Sequence, residues 1–141
     1  MNKNLIKTII EYSKNYDDLE YIYNNYCYFQ DLIWNIKTNE TLIFYSIKNN
    51  NVILFDFLID KKCNVNYINK YDTSPLQSAI IQQYPNFVKK LIENNANINY
   101  KNNSNIGPLS FLYMNKYKNY DLRNNKQKEI EEIILTYIKN I

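Results

Sequence analysis

Apolar side chains recur at helical spacing through the middle of the chain. Leu76, Ala79 and Ile80 lie three and four residues apart, which places them on one face of a helix. A second stripe with the same spacing follows Tyr84-Pro85 and consists of Phe87, Val88, Leu91 and Ile92. Because proline begins a helix more readily than it continues one, the pattern predicts two short helices separated by a turn at Pro85.

This helix–turn–helix pattern repeats along the chain. Residues 41–47 superpose without a gap on residues 74–80, and Cys63-Asn64-Val65-Asn66-Tyr67 superposes on Ala96-Asn97-Ile98-Asn99-Tyr100. The same shift places Pro75-Leu76 on Pro108-Leu109. Two short helices cannot bury their apolar faces alone, so the repeat predicts units that stack on one another.

The repeated residues point to a known family. The stretch from Ser74 to Ala79, Ser-Pro-Leu-Gln-Ser-Ala, resembles the Thr-Pro-Leu-His-x-Ala signature of ankyrin repeats, and residues 87–99 resemble the second helix and exit turn of that family. The resemblance implies an all-α fold, an ankyrin-repeat solenoid of stacked helix-turn-helix units with short loop or β-hairpin connections.

The period divides the chain into four parts. We expect a degenerate N-terminal capping repeat in residues 1–38, ankyrin repeats in residues 39–71 and 72–104, and a C-terminal ankyrin-like capping repeat in residues 105–141. The last repeat is expected to contain an insertion at about 115–127, where the chain is polar and lacks apolar periodicity. The connector 27–38 has no clear assignment.

Several positions depart from the family pattern. Glutamine and phenylalanine replace the signature histidine at Gln77 and Phe44. The residues that replace the family's glycines are Asn50, Lys62, Gln83 and Asn95. Asparagine tolerates a left-handed backbone better than lysine or glutamine, so we expect reshaped turns and the same fold.

The composition argues against catalysis. The 141 residues include no histidine, one glycine and two cysteines, so the commonest general base and the glycine-rich phosphate loops are missing. Cys63 aligns with Ala96 and is expected to be a buried structural thiol. The adjacent carboxylates Asp17-Asp18 and Glu131-Glu132 are expected on solvated helix surfaces. We therefore expect no enzymatic activity, no metal, no cofactor and no small-molecule substrate.

Charge leaves one alternative function open. Residues 61–128 carry 11 basic and 3 acidic side chains, although the whole chain carries a formal charge of only +3. The alternative function is therefore a nucleic-acid-associated protein that uses this basic segment. We rank it second, because the basic positions do not fall in one groove of an ankyrin stack. No apolar run is long enough to span a membrane, and no signal-peptide core is present, so we expect the protein in the cytoplasm. We also expect it to be a monomer.

The resemblance implies a protein-binding function. Ankyrin proteins bind partners through loop tips and the exposed face of each first helix, and short stand-alone members in large DNA viruses and host-associated microbes act on host regulatory factors. We therefore expect an adaptor or inhibitor that binds a partner protein through this concave face. The matching positions are Lys37, Glu40, Lys48, Lys70, Tyr71, Thr73, Ile81, Gln82, Lys101, Ile106 and Met114.

Four of these positions carry large apolar or aromatic groups. Tyr71, Ile81, Ile106 and Met114 are expected to be exposed, with Lys70 and Lys101 at the rim. Exposed groups of this kind mark interfaces, so they are the predicted hot spots.

Overall fold

The computed structural model of the chain describes residues 3–26, 28–114 and 125–141. It contains two compact units, unit 1 from Met1 to Asn64 and unit 2 from Val65 to Ile141. Helices dominate both units, and the only strands among the described residues form one short hairpin in unit 1. The predicted all-α class is confirmed.

Unit 1 consists of two helical hairpins. Its helices are α1 (Lys3–Tyr12), α2 (Tyr16–Asn25), α3 (Leu42–Lys48) and α4 (Val52–Asp60). Helix α1 packs on α2, α2 packs on α4, and α3 packs on α4. Helices α1 and α2 each turn an apolar face inward, since Ile6, Ile9, Leu19 and Ile22 are all buried.

The connector 27–38 contributes the first strand of a β-hairpin, and the second strand follows it. Strand β1 (Ile33–Asn35) pairs antiparallel with β2 (Glu40–Thr41), and the register is irregular between Ile33 and Asn35. Phe29, which precedes the hairpin, is fully buried and stacks on Phe57 of α4 at 5.5 Å between ring centroids. Phe29 of the connector is therefore part of the core of unit 1. Cys27 lies outside the described residues.

Unit 2 continues the helical repeat. Its helices are α5 (Pro75–Ile81), α6 (Pro85–Glu93), α7 (Pro108–Met114) and α8 (Asn125–Lys139). Helix α5 packs on α6 and α7, and α8 packs on both α6 and α7. Helix α8 begins inside the expected insertion, and residues 115–124 of that insertion lie outside the described residues.

Local sequence determines where the helices of unit 2 begin. Ser74 caps α5, because its side chain accepts a hydrogen bond from the Gln77 N–H while the Gln77 side chain accepts one from the Ser74 N–H. Pro75 and Pro85 occupy the first turns of α5 and α6, where a missing N–H has no cost. Thr41 occupies the equivalent cap position before α3 but makes no side-chain cap bond.

Among the described residues, seven that are not glycine hold a left-handed backbone, and their spacing follows the sequence repeat. The positive φ values recur at Asn39, Asp72 and Asn105, at Asn50 and Gln83, and at Lys62 and Asn95. Asn50, Lys62, Gln83 and Asn95 are the four residues that replace the family's glycines, and their φ values lie between 49° and 68°. The turns thus keep the left-handed conformation without glycine.

Glycine at the least suitable of these positions should stabilise the chain. Gln83 has a φ of 58°, and a side chain other than asparagine or aspartate is strained in this region. We expect Gln83→Gly to raise the free energy of unfolding by about 0.5–1 kcal/mol, because strain is removed and glycine's backbone entropy offsets only part of the gain. Urea denaturation measures this. Asn95→Gly is the control and should raise the free energy of unfolding by less. The explanation is refuted if Gln83→Gly gains no more stability than Asn95→Gly.

Candidate protein-binding surface

Two loops of unit 2 are organised by asparagines one repeat apart. The Asn69 side chain accepts hydrogen bonds from the N–H groups of Tyr71 and Thr73 at 2.9 and 3.0 Å. The Asn102 side chain accepts from Ser104 and Ile106 in the same way, at 3.0 and 2.9 Å. Such side-chain turns fix a loop tip without glycine. The tips that carry the predicted site residues are therefore held in defined conformations.

Asp72 joins the two loop tips. Its carboxylate accepts hydrogen bonds from the Tyr100 hydroxyl and from the Asn103 N–H. These donors, the tyrosine hydroxyl first, lower the pKa of Asp72 below its ordinary value of 3.8. Burial, together with the bond to Asp72, raises the pKa of Tyr100 to about 12. The link keeps Tyr71, the residue next to Asp72, on an ordered tip.

The Asp72 link should make the stability of unit 2 depend on pH. Because folding depresses the pKa of Asp72, its contribution is fully present above about pH 4 and disappears as the pH falls through the lowered pKa. We expect Asp72→Asn to destabilise the chain at pH 7, and we expect its difference from the wild type to shrink as the pH falls through the lowered pKa of Asp72. Urea denaturation between pH 7 and pH 2 tests this, and a gap that stays constant over that range would contradict it.

Three of the four predicted hot spots are exposed in unit 2. Tyr71 is 65% exposed on its loop tip, and Ile81 and Met114 are 43% and 52% exposed. Ile81 is the last residue of α5 and Met114 is the last residue of α7, so the two occupy equivalent positions on helices that pack together. Ile106 differs from the expectation, since it is only partly exposed and its carbonyl accepts a bond from the Gln77 side chain at 3.2 Å.

The polar members of the predicted site in unit 2 lie in the loops and at the end of α5. Lys70 and Lys101 are exposed in the two loops, and Gln82 is exposed at the C-cap of α5. Thr73 is partly exposed, and its hydroxyl donates to the Tyr71 carbonyl. We call the exposed set the α5/α7 surface; it comprises Lys70, Tyr71, Ile81, Gln82, Lys101 and Met114.

Two of the three predicted site residues in unit 1, Lys37 and Lys48, are exposed, and the third is not. Lys37 is exposed in the turn between β1 and β2. Glu40 was expected to be accessible, and that expectation is wrong, because its side chain is only 1% exposed and pairs with Lys48 at 2.6 Å. A carboxylate buried on β2 requires such a partner. The Glu40–Lys48 pair therefore connects β2 to the end of α3.

Sequence reasoning missed the residues that support the surface. Asn69, Asn102 and Asp72 shape the loops, and buried Gln77 ties the start of α5 to the loop before α7 through its bond to Ile106. One signal was available, since Asn69 and Asn102 occupy the same place in successive repeats. Nothing in the sequence pattern indicated the contact from Asp72 to Tyr100.

The chemistry of the described residues can be stated directly. Burial, with a smaller contribution from the charge of Asp31, raises the pKa of the Cys63 thiol to about 12, as expected for a structural cysteine. Within the described ranges, no group of three or more histidine, cysteine, aspartate or glutamate side chains is arranged to hold a metal ion. No helix in this part of the chain is long and apolar enough to cross a membrane.

Some lysines of the basic segment 61–128 have acidic partners. Lys61 pairs with Glu20 at 2.7 Å and also lies 4.8 Å from the centroid of the Tyr23 ring. Lys89 lies 4.0 Å from Glu93. These contacts reduce the positive charge that the segment offers to a nucleic acid.

Comparison with protein families identifies the class. A family model described as "Ankyrin repeats (3 copies)" matches residues 2–102, which is most of the chain. The chain belongs to the ankyrin-repeat family, whose repeats are generally protein–protein interaction modules and whose fold is non-catalytic. Comparison with curated proteins gives no match.

Proposed function

We propose that the chain binds a partner protein through the α5/α7 surface and acts there as an adaptor or inhibitor. The observation that carries the proposal is the exposure of Tyr71, Ile81 and Met114 on fixed elements of one unit. Exposed aromatic and long apolar side chains contribute most of the binding energy at protein interfaces. The lysines beside them favour a partner that carries acidic groups at the rim of its own apolar patch.

Order at the loop tips supports this function. Tyr71 has two rotatable side-chain torsions, and its backbone is fixed by the Asn69 turn and the adjacent Asp72 link. A side chain presented on an ordered loop loses less conformational entropy when a partner binds. The surface is therefore suited to binding without prior rearrangement of this loop.

An adaptor or inhibitor role fits a surface built from repeats, since such a surface acts by covering a partner's surface or by joining two partners. We propose that the protein works as a monomer in the cytoplasm, where a host regulatory factor is one candidate partner.

The test begins with capture of the partner and ends with its affinity. Tagged wild-type chain and the variant Tyr71→Ala/Ile81→Ala are used as baits in a nuclease-treated lysate, and the captured protein is then purified. We expect the double substitution to weaken binding at least about 30-fold in calorimetry, because each truncated hot spot costs more than about 1 kcal/mol and every 1.4 kcal/mol is tenfold. Both residues are exposed, so circular dichroism should show an unchanged fold.

The matched control is a second tyrosine–isoleucine pair that belongs to the other unit. Tyr28 and Ile53 are exposed in unit 1, and Tyr28→Ala/Ile53→Ala should bind the partner as the wild type does. Equal capture by the wild type and the Tyr71→Ala/Ile81→Ala variant would refute the site. Capture from a parallel untreated lysate that is lost in the nuclease-treated one would instead support the nucleic-acid alternative.

A further inference from the structure

An open groove lies in unit 1, between α1 and α2. It has a volume of about 390 Å³ and shares no residue with the α5/α7 surface. Leu5 of α1 and Ile22 of α2 form its apolar floor. Tyr12, Tyr21 and Tyr26 form its rim and are 49%, 62% and 71% exposed. Exposed tyrosines that line a groove make it a candidate binding site, because their rings and hydroxyls are both open to a ligand.

The rim combines flat aromatic surfaces with hydrogen-bond donors. The rings of Tyr21 and Tyr26 meet edge to face with 6.3 Å between centroids. Among the described residues, the structure gives none of the three rim hydroxyls a hydrogen-bond partner. Tyrosine hydroxyls can donate to the backbone carbonyls of a ligand, and the rings can pack on its side chains. The rim therefore suits an extended ligand whose carbonyls are free.

One end of the groove is acidic. Asp18 lies in the first turn of α2, lines the groove and makes no ion pair with a described residue. Because a short turn joins α1 to α2, the helices run in opposite directions, and Asp18 lies toward the Tyr12 end. The lining side chains at the Tyr26 end are uncharged. A ligand with one basic residue would thus bind in one direction.

The length of the groove fits a short polyproline II segment. Helix α1 has 10 residues and spans about 15 Å at 1.5 Å per residue. A polyproline II helix rises about 3.1 Å per residue, so about five residues fill this length. Proline-rich segments of this conformation dock in aromatic-lined grooves, since proline keeps the carbonyl acceptor and has no N–H that needs a partner.

We propose that the groove between α1 and α2 binds a proline-rich segment of a partner protein, with a basic ligand residue paired to Asp18. A second copy of this chain does not supply such a segment, because its three prolines, Pro75, Pro85 and Pro108, are each ten or more residues apart and begin helices. An amphipathic helix is disfavoured, because its carbonyls are already paired and only Leu5 and Ile22 offer an apolar floor.

Fluorescence anisotropy with defined peptides tests the proposal. The probe is a labelled peptide, Ala-Pro-Pro-Ala-Pro-Pro-Ala-Arg, titrated with the full chain. We expect saturable binding that Tyr12→Ala and Tyr21→Ala each weaken by about tenfold, as for aromatic anchors elsewhere. Asp18→Asn should weaken binding of this peptide by about threefold and should not affect a peptide with glutamine in place of arginine.

The controls separate this groove from the α5/α7 surface. Tyr71→Ala also removes an exposed tyrosine, and it should bind the probe as the wild type does. The inference is overturned if the wild type shows no binding up to about 1 mM, the weak limit of specific recognition. It is also overturned if an alanine-substituted peptide binds equally, if Tyr21→Ala has no effect, or if a basic amphipathic helix binds more tightly than the probe.

Discussion

Phe57→Ala is expected to lower the free energy of unfolding by about 3–5 kcal/mol, the range for a fully buried phenylalanine. Its side chain is inaccessible to solvent, and its ring contacts those of Tyr16, Tyr23 and Phe29 with centroids 5.1–5.7 Å apart. Lys61 lies 5.4 Å from the centroid of the same ring. Truncation would leave a cavity where α2, α4 and the connector meet.

The fluorescence of Trp34 during denaturation provides the measurement. Trp34 is the only tryptophan, lies on β1 and packs against Tyr45 at 5.1 Å, so its fluorescence reports the unfolding of unit 1. Phe57→Leu fills most of the volume without the aromatic contacts, and we expect a smaller loss of about 1 kcal/mol. A loss below about 1 kcal/mol for Phe57→Ala would show that the aromatic cluster does not hold this unit together.

The helices and much of the core could be predicted because they follow local rules. The stripe of Leu76, Ala79 and Ile80 marks the buried face of α5, and Ser74-Pro75 marks its beginning. The repeated pattern also indicated where left-handed residues would replace glycine, as at Gln83. These features depend on residues a few positions apart, so a single sequence is enough to recognise them.

The features that could not be predicted depend on contacts distant in sequence. Glu40 appeared accessible because its position matches the family's exposed loop positions, yet Lys48 lies near enough to pair with it and allows it to be buried. The tyrosine groove between α1 and α2 has the same origin. Tyr12 and Tyr26 are fourteen positions apart, and the abundance of tyrosine in the composition hid the exposed ones. Only the packed structure shows which tyrosines are partly buried and which are exposed.

The second large effect is expected for Gln77→Ala, which should lower the free energy of unfolding by about 3 kcal/mol. Gln77 is fully buried; its side chain accepts a hydrogen bond from the Ser74 N–H at 2.9 Å and donates one to the Ile106 carbonyl at 3.2 Å. Removing the amide leaves both of these backbone groups without this partner, and each unsatisfied buried group costs about 1–3 kcal/mol. Urea denaturation followed by circular dichroism measures the change.

Two further variants separate the hydrogen bonds of Gln77 from its volume. Gln77→His places the signature residue of the family at this position, and imidazole can both accept and donate, so we expect a loss of less than about 1 kcal/mol. Ser74→Ala removes the cap and should cost about 1 kcal/mol. Because Ser74 and Gln77 share one capping box, the double variant Ser74→Ala/Gln77→Ala should lose less than the two single losses combined. Full additivity would show that the two side chains act separately and that the capping box adds no coupling between them.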